Sequence, residues 1–192
     1  MKNKIFSLVK TFVIESFTNS NKIHSIKHLK RTVYWVKFLY PKANEELLTA
    51  AISHDIARAF ETPAELDKFK KVKNIFINSG YLKFHQNMGA KIIYNFLTNH
   101  DINKKTILTI TNLIKKHEVG GNIYQNILKD ADSISFFETS SKSFINMTKE
   151  KKEIKEKIKL KFDRMYNRIT SKKAQKIALP LYTKSIKNLN SI

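Results

Sequence analysis

Apolar residues recur at helical spacing along most of this chain. Near its start, Ile5, Val9, Phe12 and Val13 follow the i, i+3, i+4 pattern of an amphipathic helix. The same spacing, with the breaks between segments, predicts helices at about residues 5–17, 23–40, 45–54, 62–78, 85–98, 104–117, 123–138, 149–169 and 171–188. No segment reads convincingly as a β-strand and no linker divides the chain, so the pattern predicts one all-α domain over residues 1–192.

Several polar residues mark where these helices begin and end. Asn44 precedes the acidic first turn of the third segment, a favourable N-terminal arrangement. Thr62 followed by Pro63 is a strong helix start, and Ser171 is placed to cap the last helix. The turn signal at 78–80 predicts an interruption there, with the next helix opening at His85.

Composition bounds the class of protein. The chain has 192 residues, is 42% hydrophobic, and contains only four glycines and three prolines, which favours a helical domain with a sizeable core. It contains no cysteine, so disulfide and thiolate chemistry are excluded. Lys10 and Glu15 interrupt the apolar run at the N-terminus, and nothing approaches a membrane span. We therefore expect a cytoplasmic protein without a membrane partner.

The net charge of +20 has two interpretations. It permits binding to nucleic acid or to phosphorylated small molecules. However, the excess is nearly all lysine, with only four arginines, and proteins that read base sequence rely on arginine forks. Abundant Lys, Asn and Ile also arise from A/T-rich coding sequences, so the charge is as well explained by codon composition.

Histidines and aspartates form the chemically informative set. His54 and Asp55 are adjacent at the end of an apolar segment, and Asp132 lies within another. Aspartate is rarely buried unless it is paired or bound to a metal. Three further histidines occupy similar positions in or at the end of apolar helices, namely His28, His85 and His117. Each alone is more often an ordinary core histidine, but the ordered set of imidazoles and carboxylates suits a divalent metal.

Four segments carry matching motifs. Residues 24–33 contain a His followed by Arg and Val, residues 54–58 read His-Asp-Ile-Ala-Arg, and residues 130–132 read Asp-Ala-Asp. Together with the tail at 161–174, they resemble the HD superfamily of metal-dependent phosphohydrolases, closest to its small single-domain members. The second segment looks like the signature HD-I-G-K with Ala for Gly and Arg for Lys. The resemblance implies an HD core at about 20–140, with C-terminal helices at about 149–188 packed on it.

The resemblance also implies a metal centre. Its ligands would be His28, His54, Asp55 and Asp132, a mixed N/O set that suits Mn, Fe, Co or Ni, with Mg as a further option. We expect one divalent ion per chain. The implied reaction is hydrolysis of a phosphate ester by metal-activated water, on a nucleotide or another small phosphomonoester or phosphodiester.

Four residues are expected to serve catalysis: Asp55, Arg58, His85 and His117. Asp55, or alternatively Asp132, would orient the attacking water. Arg58 would either hold a phosphate or form a plain salt bridge to Asp132 or Glu61. We expect His85 and His117 to line the pocket or donate a proton, with ligation of a second metal as the alternative.

Neighbouring polar residues are expected to be structural. Arg31, one turn after His28, is expected to form a salt bridge. Glu118 is expected to be an exposed residue at a helix end, with a place beside His85 and His117 as the alternative. His24 and His100 are not expected to be ligands.

Two other functions remain open from the sequence. The same order of six ligands is the layout of HD-type di-iron oxygenases, which would need His85 and His117 on a second iron. The second is a basic nucleic-acid-binding or regulatory protein on an HD scaffold, motivated by the charge of +20. Metal stoichiometry would separate the two enzymes, and salt-sensitive binding without metal would favour the third function.

Overall fold

The computed structural model describes residues 4–192, and within them all regular structure is helical. The α-helices are α1 (Lys4–Asn19), α2 (His24–Leu39), α3 (Glu45–Ser53), α4 (Ala57–Phe60), α5 (Pro63–Asp67), α6 (Ser79–Thr98), α7 (Lys104–Lys116), α8 (Ile123–Thr139), α9 (Ser141–Glu150), α10 (Lys155–Asn167) and α11 (Lys172–Asn190). Short 3-10 turns occupy Ile75–Ile77 and Lys152–Ile154. The predicted all-α class is confirmed. No helix among residues 4–192 is long and apolar enough to cross a membrane.

The predicted capping residues act as expected. The side chains of Asn44, Thr62 and Ser171 each accept a hydrogen bond from a backbone N–H in the first turn of the helix that follows. Such caps satisfy donors that have no partner within the helix. Asn122, which was not singled out from the sequence, caps α8 in the same way and forms a capping box with Gln125.

The main core encloses α3. This helix packs against α1, α2 and α7, and every residue from Leu47 to Ser53 is buried. Around it, α2 packs along α8 and α6 along α7, with Leu29, Ile93 and Ile110 fully buried between them. Burying one such side chain stabilises the fold by about 1.5–3 kcal/mol. Because α3 is central, the residues that directly follow it lie inside the bundle.

A second apolar cluster lies at the C-terminal end of α8. Phe136 of α8 packs with Phe162 and Met165 of α10 and with Leu189 of α11. A third, smaller cluster around Ile134 joins α8 and α11 to α2. The C-terminal helices therefore cover the half of α8 that follows Asp132.

The segment from 62 to 78 is mostly not helical, contrary to the sequence prediction. The helix α5 ends at Asp67 and contains no buried residue. A short helix without a face to bury is marginal in water, and the lysine-rich stretch that follows adds like charges. Asn74 instead fixes this stretch by donating from Nδ2 to the carbonyl of Lys157 at 3.0 Å.

The next helix begins earlier than predicted. Asn78 accepts a hydrogen bond from the backbone N–H of Tyr81 at 2.9 Å, so it caps α6, which starts at Ser79. The prediction that His85 opens this helix was therefore wrong. His85 lies in its second turn, where a fully buried side chain faces the bundle interior.

The charged stretch from 149 is also divided. Helix α9, which the sequence did not predict, ends at Glu150, and Lys151 adopts a non-helical conformation with φ −138° and ψ 87°. The helical spacing predicted beyond Ile154 is confirmed by α10, which buries Ile158 and Phe162.

Candidate metal centre

Five separate parts of the chain bring the predicted histidines and aspartates together. Within residues 4–192 they form two neighbouring groups, in each of which one ligand atom per residue lies within 4.8 Å of the others. The first triad consists of His28 from α2, His54 after α3 and Asp132 from α8. The second triad consists of Asp55 after α3, His85 from α6 and His117 after α7. Either group could hold a metal ion.

In the first triad, both imidazoles face one carboxylate oxygen. Oδ1 of Asp132 lies 3.0 Å from Nε2 of His28 and 3.3 Å from Nε2 of His54. Nδ1, the ring nitrogen of each histidine that faces away from Asp132, contacts a neighbouring protein group. Nδ1 of His28 lies 3.0 Å from Oγ of Ser135, which itself donates to the His28 carbonyl at 2.8 Å, and Nδ1 of His54 lies 2.9 Å from the carbonyl of Ala51.

The second triad has the same plan. Oδ1 of Asp55 lies 2.7 Å from Nε2 of His85 and 3.8 Å from Nε2 of His117. Nδ1 of His85 lies 3.1 Å from a carboxylate oxygen of Glu61, and Nδ1 of His117 lies 2.8 Å from the carbonyl of Ile114. The imidazoles of His54 and His117 meet edge to face with ring centroids 5.1 Å apart, so the two triads are adjacent.

This arrangement fits a metal centre. Each of the four histidines has Nδ1 next to a protein acceptor and Nε2 turned inward, which is how histidine ligands are usually oriented. Nε2 of His54 and of His117 is buried and makes no hydrogen bond to residues 4–192, although Nε2 of His54 lies 3.3 Å from Oδ1 of Asp132. Leaving buried polar nitrogens unpaired is costly, and a bound ion would remove that cost.

A buried ionic network supports the first triad on the side of Asp132 that faces away from the two histidines. Arg168 donates to Oδ2 of Asp132, to Glu118 and, at 2.8 Å, to Oγ of Ser133. Arg164 donates to Glu118 at 2.9 Å. The expectation that Glu118 is exposed was wrong: burial would raise its pKa, but Arg168, His117 and Arg164 outweigh burial and lower it to about 2.

The second triad is supported by a more exposed group. Arg58 donates from Nε to Oδ2 of Asp55 at 3.2 Å and from Nη1 to the hydroxyl of Tyr81 at 3.1 Å. The same hydroxyl donates to Glu61 at 3.0 Å. Arg58 therefore pairs with Asp55, and not directly with Asp132 or Glu61, the two partners considered from the sequence.

The histidines differ sharply in proton affinity. Burial lowers the pKa of His54, but Asp132 and Asp55 outweigh this effect and raise it to about 9. Burial lowers the pKa of His117 to about 4, because the nearby carboxylates compensate only partly. The pKa of each aspartate lies well below its usual value, since burial is outweighed by Arg58 and His54 at Asp55 and by Arg168 and His54 at Asp132.

Both triads border one pocket of about 360 Å³. His28, Asp55 and Asp132 line it together with the cationic groups of Arg58 and Lys161. An apolar part of its wall is formed by Phe136, Phe144, Met147 and Met165. A larger groove of about 580 Å³ between α8, α9 and α11 includes no triad residue, so the smaller pocket is the candidate site.

The other residues considered from the sequence lie outside the triads. Arg31 pairs with Glu138 at 2.7 Å, in agreement with a structural role, and His100 is exposed. His24 lines the pocket and belongs to neither triad.

Sequence reasoning missed several supporting residues. It proposed no role for Ser135, Arg164 or Arg168, and it treated Glu61 only as a partner for Arg58. One signal was available for the arginines. In a chain whose basic residues are almost all lysine, Arg164 and Arg168 stand four residues apart on one predicted helix face.

The family of the chain is established by comparison with known proteins. Residues 14–189 match the model of a family described as a domain of unknown function (DUF4202), and the chain belongs to that family. The match includes every residue of the two triads and the arginines that support them. No curated protein and no solved structure gives a significant match to this chain.

Proposed function

We propose that this protein is a metal-dependent phosphohydrolase. The reaction would break a P–O bond of a phosphate ester, with water supplying the new oxygen on phosphorus. The substrate would be a nucleotide or another small phosphomonoester or phosphodiester. The resemblance of residues 24–33, 54–58 and 130–132 to the HD superfamily is consistent with this proposal.

One observation supports the proposal most strongly: two His-His-Asp triads border a single pocket that is also lined by the cationic side chains of Arg58 and Lys161. Bound divalent ions would lower the pKa of a water molecule and withdraw charge from phosphorus. The mixed imidazole and carboxylate donors suit Mn, Fe, Co or Ni, with Mg less well matched. Since there are two triads, we propose two ions per chain, instead of the single ion expected from the sequence.

Arg58 is suited to hold the phosphate. It lines the pocket, and its hydrogen bonds to residues 4–192 use Nε and Nη1 only, leaving the Nη2 edge for a ligand. A guanidinium fork matches a phosphate in shape and charge. Its bond to Asp55 would fix the phosphate next to the second triad.

A di-iron oxygenase is the second candidate. The observation that favours it is the meeting of His85 and His117 at one oxygen of Asp55, since an HD-type oxygenase needs both histidines on a second iron. The cationic side chains of Arg58 and Lys161 in the pocket favour a phosphate substrate and therefore the hydrolase.

Metal content and hydrolysis test the proposal together. The wild-type protein would be purified without added metal, alongside His54→Ala, His117→Ala and His100→Ala, the last being exposed and outside both triads. We expect about two transition-metal ions per chain in the wild type and in the control. Each triad variant should lose one ion and at least about 100-fold in hydrolysis of p-nitrophenyl phosphate or nucleoside phosphates.

Two results would reject the proposal. Absence of bound metal in the wild type, even after supply of Mn, Co or Ni, would remove its chemical basis. Two irons per chain, with substrate-dependent oxygen consumption and no hydrolysis, would establish the oxygenase instead.

A further inference from the structure

Lys161 is an unusual residue in the pocket wall. It lies on α10, and only 8% of its surface is exposed. Its ammonium group lies 5.0 Å from the ring centroid of Phe136, 5.1 Å from that of Phe144 and 5.9 Å from that of Phe76. Three aromatic rings therefore surround a charged group that lysine usually keeps in water.

The ammonium of Lys161 has no anionic partner among residues 4–192. The carboxylates whose charges reach it are Glu118 and Asp55. Glu118 is bound by Arg164 and Arg168, and Asp55 is bound by Arg58 and His85. A buried charge without a partner is costly, and cation–π contacts offset only part of that cost. Residues 4–192 therefore provide no counter-ion for this charge.

The position of Lys161 shows where a partner would bind. It lines the same pocket as Arg58 and as Asp55 and Asp132 of the two triads. Burial, followed by the charges of Arg58 and Arg168, lowers its pKa to about 8, so the ammonium is still mostly protonated at neutral pH. The pocket thus presents a second cation besides Arg58, and unlike Arg58 it has no carboxylate partner among residues 4–192.

We propose that Lys161 is a substrate-binding residue that holds an anionic oxygen of the substrate, while the adjacent apolar wall holds the organic group. That wall consists of Phe136, Phe144, Met147 and Met165. The ligand class is an organic phosphate with an aromatic or other apolar group. The identification of the ligand as a phosphate ester rests on the proposed hydrolase function, whereas the anion site itself does not.

Binding of inorganic phosphate tests the role of Lys161. Affinity would be measured by isothermal titration calorimetry on wild type, Lys161→Met, Lys161→Arg and Lys157→Gln, each both metal-free and loaded with Mn. Lys157 is exposed on the same helix and serves as the matched control. We expect Lys161→Met to weaken phosphate binding by about 10-fold or more, because a charge-assisted hydrogen bond is lost. Lys161→Arg should retain most of the affinity, and the control should retain all of it.

A purely structural lysine would give another result. Methionine fills a similar volume without a charge, so Lys161→Met should fold, which circular dichroism and metal content would verify. A folded variant with wild-type phosphate affinity would overturn the proposal, as would a wild type that binds no phosphate in either metal state. Lysine-dependent phosphate binding without any hydrolysis would retain the anion site and reject the hydrolase.

The pH dependence of anion binding gives an independent measurement. Sulfate is suitable because it does not titrate near neutral pH. Wild-type affinity should fall as the pH rises through about 8 and Lys161 loses its proton, while Lys161→Arg should keep its affinity there. The charged groups acting on Lys161 are Arg58, Arg168, Glu118 and Asp55, all of which keep their charge in that range. A parallel decline in both proteins would contradict the assignment.

Matched phosphonates test the apolar wall. Phenylphosphonate and methylphosphonate carry the same anionic group and are not hydrolysed as esters. We expect phenylphosphonate to bind more tightly, since its ring can bury apolar surface against Phe136 and Phe144. Equal affinities would overturn the assignment of this wall to the organic group of the substrate.

Discussion

The two triads contain the same donors but are supported in different ways. In the first triad, the outer oxygen of Asp132 is bound by Arg168, and both side chains are less than one-tenth exposed. In the second triad, the outer oxygen of Asp55 is bound by Arg58, whose side chain is 34% exposed. Both triads border the pocket, but the arginine that supports the first is enclosed by protein, whereas the arginine that supports the second is partly exposed.

The supports also come from different distances along the chain. Arg58 follows Asp55 by three residues, so a single local segment supplies both groups. Arg168 is separated from Asp132 by 36 residues and reaches it from the end of α10. The C-terminal helices therefore supply the arginine that supports the first triad, while the arginine that supports the second triad comes from the chain between α3 and α6.

Removal of the supporting arginines should give the largest difference in stability between the two triads. Arg168→Met would leave two buried carboxylates, Asp132 and Glu118, without their shared partner. We expect it to lower the free energy of unfolding of the metal-free protein by about 3–5 kcal/mol. Arg58→Met should cost only about 1 kcal/mol, because that pair is partly solvated. Urea denaturation after chelation of metals measures both.

The control for this pair of variants is Arg31→Met, which removes a partly exposed ion pair with Glu138 that includes no triad residue. It should change stability by no more than about 1 kcal/mol. Equal losses for Arg168→Met and Arg58→Met would show that the two supports are energetically alike, contrary to their burial.

The two triads should also differ in how protonation of their histidines changes stability with pH. The pKa of His54 is raised from 6.5 to about 9, so its stabilising effect is full below pH 6.5 and is lost as the pH rises through about 9. The pKa of His117 is lowered from 6.5 to about 4, so its effect is full above pH 6.5 and is lost as the pH falls through about 4. Each window corresponds to about 3 kcal/mol in the metal-free protein.

Unfolding measured from pH 4 to pH 10 would check these opposite slopes. His54→Gln should abolish the decline on the alkaline side, and His117→Gln the decline on the acid side. His100→Gln, at an exposed position, should reproduce the wild-type profile. If either triad variant also follows the wild-type profile, the assigned proton affinity is wrong.

The sequence predicted the features of this site that depend on neighbouring residues, and missed those that depend on residues far apart in the chain. His54 and Asp55 were found because they are adjacent, and His28 and Asp132 because each stands within a recognisable motif. Helical periodicity also predicted the all-α class, which depends only on local spacing. The structure brings all of these residues into the two triads.

The rest could not be predicted because it depends on tertiary packing. That Asp55 meets His85 and His117 follows from the way α6 and α7 pack together near the end of α3, which spacing does not reveal. The burial of Glu118 likewise requires Arg164 and Arg168 from a distant helix. The short α5 shows the reverse error, since good capping signals could not extend a helix that buries no residue.

The outer hydrogen bonds of the histidines allow a finer comparison of the triads. Ser135→Ala removes the partner of Nδ1 in His28, and Glu61→Gln removes the charge beside Nδ1 in His85. Loss of such a partner typically weakens metal binding by about 10–100-fold. We expect each substitution to weaken one ion only, the first-triad ion in Ser135→Ala and the second-triad ion in Glu61→Gln.

Titration of the metal-free proteins with Co²⁺ against a competing chelator would resolve the two binding steps. Ser7→Ala, on an exposed position of α1, should leave both steps unchanged. If Ser135→Ala weakened both steps equally, the triads would not act as separate sites, and the close approach of His54 and His117 would have to couple them. Selective weakening of one step would instead show that each triad is oriented by its own surroundings.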